Sequence, residues 1–259
     1  MLKPREVKTV EDARRIVEER GISHVKVGLF DNDGVMRGKY MSREKFFSSL
    51  DHDFAFCDVV LGWDVKDQLY DNASYTGWHT GYPDAPVRIL PGSCRDIPFE
   101  DGMLLFLAEF DKQAEAVCPR GTLRRVIERC QAMGFEPYAA LEYEFFMFNE
   151  TPESARAKGF RDLIPYTPDW FGYSMIRNSV HAELYHQILG MSEAMDFPIE
   201  GLHTETGPGV WEAAIAVDRA EAAADKAALF KTFMKVLAQR QGMMATFMAK
   251  WSGKYPGQS

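Results

Sequence analysis

Between Leu141 and Phe148 the chain sets two glutamates inside an otherwise aromatic and aliphatic run, Leu-Glu-Tyr-Glu-Phe-Phe-Met-Phe. Pro137 to Phe148 reads as one long apolar strand. Side chains alternate faces along a strand, so Glu142 and Glu144 point the same way, with Cα atoms roughly 6.5–7 Å apart. The apolar neighbours predict that this strand is buried. Two like charges buried side by side are strongly unfavourable unless a cation or a shared proton neutralises them. A divalent metal does this, because carboxylate oxygen is the ligand that magnesium and manganese prefer. The alternative is an exposed edge strand on which both glutamates are solvated.

A second pair of acids lies in Gly201-Leu202-His203-Thr204-Glu205-Thr206-Gly207-Pro208-Gly209-Val210-Trp211-Glu212. Phe197 to Val217 reads as two strands around the Gly-Pro-Gly turn. Strands joined by a short turn lie side by side, so Glu205 and Glu212 can converge on one point. An ordinary hairpin with two solvated acids fits the segment equally well. His203 is either a structural residue or a ligand. Taken together, Glu142, Glu144, Glu205 and Glu212 can build an all-oxygen site for two hard cations, as phosphoryl transfer requires. The chain has no G-x-x-x-x-G-K-[ST] loop and no G-x-G-x-x-G fingerprint, so a nucleotide would be held through metals and scattered side chains.

The rest of the chain sets the frame. Its 259 residues allow one or two domains with a substantial core. A formal net charge of -8 gives no basic surface for nucleic acid. Cys57, Cys94, Cys118 and Cys130 form no Cys-x-x-Cys pair and read as reduced core thiols. The charged, amphipathic N-terminus is no signal peptide, and no stretch approaches the ~20 apolar residues of a membrane span. A cytoplasmic protein with no membrane and no nucleic-acid partner is expected.

Thr9 with Asp12 predicts a capped helix closed by Gly21. His24–Phe30 and Val35–Tyr40 read as a hairpin around Asp31-Asn32-Asp33-Gly34, followed by a short helix over Ser42–Leu50. Residues 51–102 read as loops with short strands such as Val87–Leu90, and Met103–Phe110 as a strand. Composition shifts near Val117-Cys118-Pro119. Beyond it the pattern predicts a helix over Thr122–Met133, a helix capped by Asn178 and carrying Val180, Leu184, Ile188 and Met191, and an Ala-rich helix to about Gln241 capped by Asp218 with Glu221. Met244–Met248 reads as a final strand. Strands alternating with helices in this second part suggest an α/β layer or barrel.

Several of these segments carry a family resemblance. Glu142 to Phe148 resembles the E-x-E-F-F-L-F strand of glutamine synthetases. His203-Thr204-Glu205 through Pro208-Gly209-Val210-Trp211-Glu212 is similar to their H-H-E-V-A-P-G-Q-x-E segment, and Thr246-Phe247-Met248-Ala249-Lys250 to their T-F-M-P-K strand. Asp33-Gly34-Val35-Met36-Arg37-Gly38-Lys39 is similar to the D-x-x-G-x-x-R-G-K hairpin of their β-grasp domain. The four matches occur in family order and span most of the chain.

The resemblance implies an α+β fold: an N-terminal β-grasp domain over residues 1–116, then, over 117–259, an incomplete catalytic α/β domain with an antiparallel sheet. It implies that Glu144, Glu205 and Glu212 hold the metal serving glutamate, that Glu142 holds the metal serving ATP phosphates, and that Lys250 contacts the nucleotide. The implied reaction is ATP-dependent ligation of ammonia or an amine to the γ-carboxylate of glutamate through a γ-glutamyl phosphate, with Mg2+ or Mn2+. The implied assembly is a double-ring homo-oligomer in which the β-grasp domain of one subunit covers the catalytic domain of the next.

Three departures bear on this. Thr204 stands for the family's second histidine and Val210 for its glutamine, as in relatives that make γ-glutamyl polyamines or other γ-glutamyl amides. The ammonium-facing acid of the β-grasp loop has no clean match, and Asp64 or Asp58 are the candidates. The sequence ends before the family's glycine-serine loop, its metal-binding histidine and its later arginines. A putrescine-type ligase and a non-catalytic, truncated subunit are therefore the alternative readings. A guanido kinase is disfavoured by the Asp33–Lys39 hairpin.

Overall fold

The computed structural model describes residues 1–258. The chain divides into two compact units, Met1–Pro137 with Ala194–Asp196, and Tyr138–Glu193 with the chain from Phe197 on. Among the described residues no helix is long and apolar enough to cross a membrane.

The first unit contains α1 (Val10–Glu19), β1 (His24–Phe30), β2 (Met36–Ser42), α2 (Arg43–Asp51), β3 (Phe54–Cys57), β4 (Asp84–Ile89), β5 (Arg95–Asp96), β6 (Leu104–Phe110) and α3 (Pro119–Ala132). The capping box predicted for α1 is present: Thr9 accepts from the Asp12 N–H, and the Asp12 carboxylate accepts from the Thr9 N–H. The strands form a mixed sheet in the order β2-β1-β6-β4-β3, with β5 also on β6. The pair β1/β6 is parallel and the rest are antiparallel. Strand β6 is buried along its whole length, and Phe46 of α2 packs on Phe106 with ring centroids 4.7 Å apart. Helix α3 begins three residues before the expected Thr122. Pro119 suits a first turn, and the Cys118 Sγ caps it by accepting from the Gly121 N–H at 3.2 Å.

The second unit contains β7 (Tyr138–Ala139), β8 (Glu142–Phe148), α4 (Pro152–Ala157), α5 (Met175–Val180), α6 (Ala182–Ala194), β9 (Ile199–Thr204), β10 (Val210–Ile215), β11 (Asp218–Arg219), α7 (Ala220–Arg240) and β12 (Met244–Thr246). The four-stranded antiparallel sheet has the order β12-β8-β10-β9, and β7 pairs separately with β11. One face is backed by helices: Phe145 meets Phe230 of α7 edge-on at 5.8 Å, and Trp211 stacks on Tyr185 of α6 at 4.3 Å. On the other face Phe146, Phe148 and Val210 form a smaller apolar cluster with Met244 and Trp251.

Five expectations are corrected here. The strand over Pro137–Phe148 is two, because β7 leaves the main sheet to pair with β11. It is buried only from Phe145 to Phe148, with Glu142 exposed and Glu144 partly buried. The helix expected around residue 178 is broken at His181, and its cap is Ser174. Asn178 lies within α5, where its Oδ1 accepts from the Tyr185 hydroxyl at 2.6 Å. Asp218 does not cap α7, because its carboxylate takes the Lys226 ammonium and the Arg219 N–H, each at 2.7 Å. Strand β12 also stops at Thr246, short of Met248.

A buried acid outside the sheet anchors the loop that follows β8. Glu150 accepts from Lys158 Nζ (2.5 Å), Ser154 Oγ (2.5 Å) and the Ile164 N–H (3.0 Å), and these bonds hold its carboxyl down at about 2. A depressed folded-state value means the stabilisation is complete above the ordinary carboxyl value of 4.5 and is lost as pH falls toward about 2. Glu150→Gln is therefore expected to melt below wild type at pH 7, with the gap closing over that acidic window. Thermal melts across the pH range check this, and a gap independent of pH contradicts it.

Candidate metal centre

The ladder registers build the site. Glu144 on β8 lies opposite Glu212 on β10, and Glu212 lies opposite His203 on β9. Directly paired residues project to the same face, so these three side chains form a row across three strands spaced about 4.8 Å apart. Glu205 follows two residues after His203 and shares its face. Its N–H donates to the Val210 carbonyl at 3.0 Å, continuing the ladder into the turn. Gly209 closes that turn at φ +70°, and a Cβ there would stand 2.4 Å from the Met147 carbonyl oxygen, so no other residue fits without displacing β8.

One donor atom each from His203, Glu205 and Glu212 falls within 4.8 Å of the others, and all three residues are partly buried. His203 Nε2 stands 3.2 Å from Glu205 Oε1 and 3.8 Å from Glu212 Oε2. Burial raises the Glu212 carboxyl above its usual range. The charges of Glu142, Glu205 and Glu144 push it the same way against the pull of His203. Burial also opposes ionisation of Glu205, but hydrogen bonds from the Tyr173 hydroxyl, the Thr206 N–H and His203 outweigh it and hold that carboxyl below its ordinary value. Glu142, exposed at the start of β8 and opposite Ala214, lies outside the convergent set. A carboxylate-dominated donor set with one imidazole and surplus negative charge fits a divalent cation, whose charge would relieve the crowding around Glu212.

The remaining candidates lie elsewhere. Lys250 is exposed in the segment after β12. Asp64 and Asp58 belong to the first unit. Asp64 Oδ1 closes its own turn by accepting from the Lys66 and Gln68 N–H groups at 2.8 and 2.9 Å. Asp58 is buried and accepts from Thr76 Oγ1 at 2.5 Å. Of the two departures from the family pattern, Thr204 pairs with Trp211 and lies on the face opposite the carboxylates, whereas Val210 shares the face of Glu212 two residues away. The Thr204 Oγ1 donates to the Phe171 carbonyl at 3.0 Å, and Val210 packs with Phe146 and Phe148.

Sequence reasoning missed Tyr173. It stacks on His203 with centroids 4.4 Å apart and bonds to Glu205, which raises the phenol's own titration. Its N–H donates to the Thr204 carbonyl at 2.7 Å, fastening residues 171–174 onto β9. The signal was weak: an aromatic-rich stretch, Trp170-Phe171-Gly172-Tyr173, with no periodicity.

A family model described as glutamine synthetase, catalytic domain, matches residues 116–259, and the chain belongs to the glutamine synthetase family. It is 42% identical to type-1 glutamine synthetase 2 of Dictyostelium discoideum, over 90% of this chain and 45% of that protein. It is 31% identical to a glutamate–isopropylamine ligase of a Pseudomonas species, over 97% of this chain and 56% of that one. The fold resembles that of a GmaS–ADP complex, with a TM-score of 0.76 at 20% identity, covering 95% of this chain and 53% of the other. The chain spans about half the length of the curated relatives it matches.

Glu205→Gln and Glu144→Gln are each expected to weaken Mn2+ or Mg2+ binding at least ~10-fold, roughly 1.4 kcal/mol. Both should leave the metal-free melting temperature close to wild type. Titration calorimetry with thermal melts checks both statements, and unchanged affinity in both variants removes the site.

Proposed function

We propose that this chain carries part of an ATP-dependent ligase that joins ammonia or an amine to the γ-carboxylate of glutamate. The observation carrying this reading is the convergence of His203, Glu205 and Glu212, in ladder register with Glu144, on the open face of a helix-backed sheet. Glu144, Glu205 and Glu212 would hold one Mg2+ or Mn2+ on the glutamate side, and Glu142, at the exposed rim, would serve one on the ATP side. Such cations neutralise and orient phosphate oxygens. The chain's own groups position the reactants. Glutamate presents its γ-carboxylate to the γ-phosphate of ATP, giving a γ-glutamyl phosphate and ADP, and the amine then displaces phosphate. Tyr173 and His203 flank Glu205 and fix its orientation. Lys250 serves the nucleotide.

The amine-facing acid is read as Asp58 or Asp64. Asp58, buried with one hydroxyl partner, is the better placed to meet a cationic amine, since Asp64 already closes its own turn. Residues 1–116 are read as a β-grasp domain and 117–259 as the start of the catalytic domain. The parallel pairing of β1 with β6 beside the β1–β2 hairpin supports the first, and the family match from residue 116 supports the second. Family membership also supports a double-ring homo-oligomer.

Relatives are named as a type-1 glutamine synthetase, a glutamate–isopropylamine ligase, a γ-glutamylethanolamide synthetase and a γ-glutamylputrescine synthetase, which supports ammonia or an amine as the acceptor. Phosphate release by the gene's full product is expected to require ATP, glutamate and one member of a screen covering ammonia, alkylamines, ethanolamine and putrescine. Release that responds to no amine refutes the proposal.

A further inference from the structure

The hairpin between β1 and β2 does more than link two strands. Its turn opens on Asp31, which is fully buried and whose Oδ1 accepts from the N–H groups of Asp33 (3.0 Å) and Val35 (2.8 Å). A buried carboxylate needs a cation, and Arg37 supplies it, donating from Nε to Asp31 Oδ2 at 2.8 Å. The guanidinium is thereby fixed before it touches anything else. Its Nη1 then donates to Asp67 Oδ1 at 2.7 Å, and its plane lies 4.8 Å from the centre of the Trp63 ring. A further tie joins the same turn to the loop, from Asn32 Nδ2 to the Leu61 carbonyl at 2.8 Å.

Trp63 lies on one arm and Asp67 at the tip of one small loop. It is closed by the Tyr70 N–H on the Gly62 carbonyl (2.9 Å), the Asp64 N–H on the Gln68 carbonyl (3.0 Å) and a Trp63–Leu69 bridge. Asp67 sits at its tip with φ +60°, a conformation an aspartate holds only with local support. The loop's Trp63 Nε1 and the clamp's Arg37 Nη2 are buried without acceptors, so the closed form carries a cost that the Arg37 contacts must outweigh.

We propose that Arg37 is a positioning residue that grips the Gly62–Tyr70 loop by one arm and its tip and so sets where Asp64, within the loop, and Asp58, just before it, are presented to the amine. The amine half of this statement rests on the function proposed above, whereas the grip itself does not. A planar fork can hold Asp31, Asp67 and an indole face at once, and a lysine ammonium cannot.

Replacing Arg37 by alanine strands the buried Asp31 and risks unfolding, so the informative variants are Asp67→Ala and Arg37→Lys. Amide hydrogen exchange on the 259-residue chain is expected to show the Asp64, Asp67 and Tyr70 amides exchanging about tenfold faster in both variants. Amides of β1, β2 and β6 and the melting temperature of Asp67→Ala should match wild type. Unchanged exchange in the loop overturns the grip. In steady-state assays on the full gene product, Asp67→Ala should raise the amine KM severalfold while kcat and the KM values for ATP and glutamate hold. Wild-type turnover with an amine KM unmoved by Asp67→Ala overturns the positioning role. Absence of any amine-dependent turnover in wild type sinks the functional reading and the amine half with it, and leaves the exchange result to judge the grip.

Discussion

Negative charge crowded onto one sheet face is the constraint around which the second unit is organised. Ladder pairing forces Glu144, Glu212 and His203 into a row, and the turn after β9 swings Glu205 in beside them. The two convergent carboxylates respond in opposite senses: Glu212 is pushed up by burial and by its acidic neighbours, while Glu205 is held down by donors from Tyr173, Thr206 and His203. Such an arrangement is uncomfortable as bare protein and becomes favourable with a doubly charged ion. The apolar framework tolerates it because the helix-backed face supplies the stability. Phe145, Trp211 and Phe230 are fully buried there, so the part of the opposite face beyond the Phe146, Phe148 and Val210 cluster is free to be polar.

The first unit solves a related problem differently. Two of its buried acids are matched internally by arginines, Asp31 by Arg37 and Glu109 by Arg88, Arg120 and Arg124. These pairings tie a strand to a loop, to a neighbouring strand or to a helix. On the sheet face of the second unit the Glu212 carboxyl is instead pushed up by burial and by its acidic neighbours, which supports reading that face as a cation site.

Much of this was legible in the sequence. The alternation of Glu142 and Glu144, the glycine turn between Glu205 and Glu212, and the capping box at Thr9 depend on local rules, and all three recur in the structure. What failed depended on distant partners. Asp218 and Glu221 spell a capping box, but Lys226 and strand β7 claim Asp218. Nothing near Asn178 announces the break at His181, because it answers to tertiary packing around Tyr166 and Tyr185. Glu142 and Glu144 are chemically alike in sequence, yet only the ladder register shows that one faces Glu212 and the other only Ala214. Tyr173 reaches His203 from thirty residues upstream, a distance no periodicity spans.

Gly209 carries a consequence beyond its own turn. Because the carbonyl of Met147 occupies the space a side chain would need, the backbone positions of the two acids on either side of the turn are held by the main chain, and only their rotamers remain adjustable. That backbone spacing therefore behaves as a rigid gauge. Descendants of this chain can alter which ion or ligand suits the gap by exchanging the acids themselves, but they have little freedom to widen or narrow it by lengthening the connection.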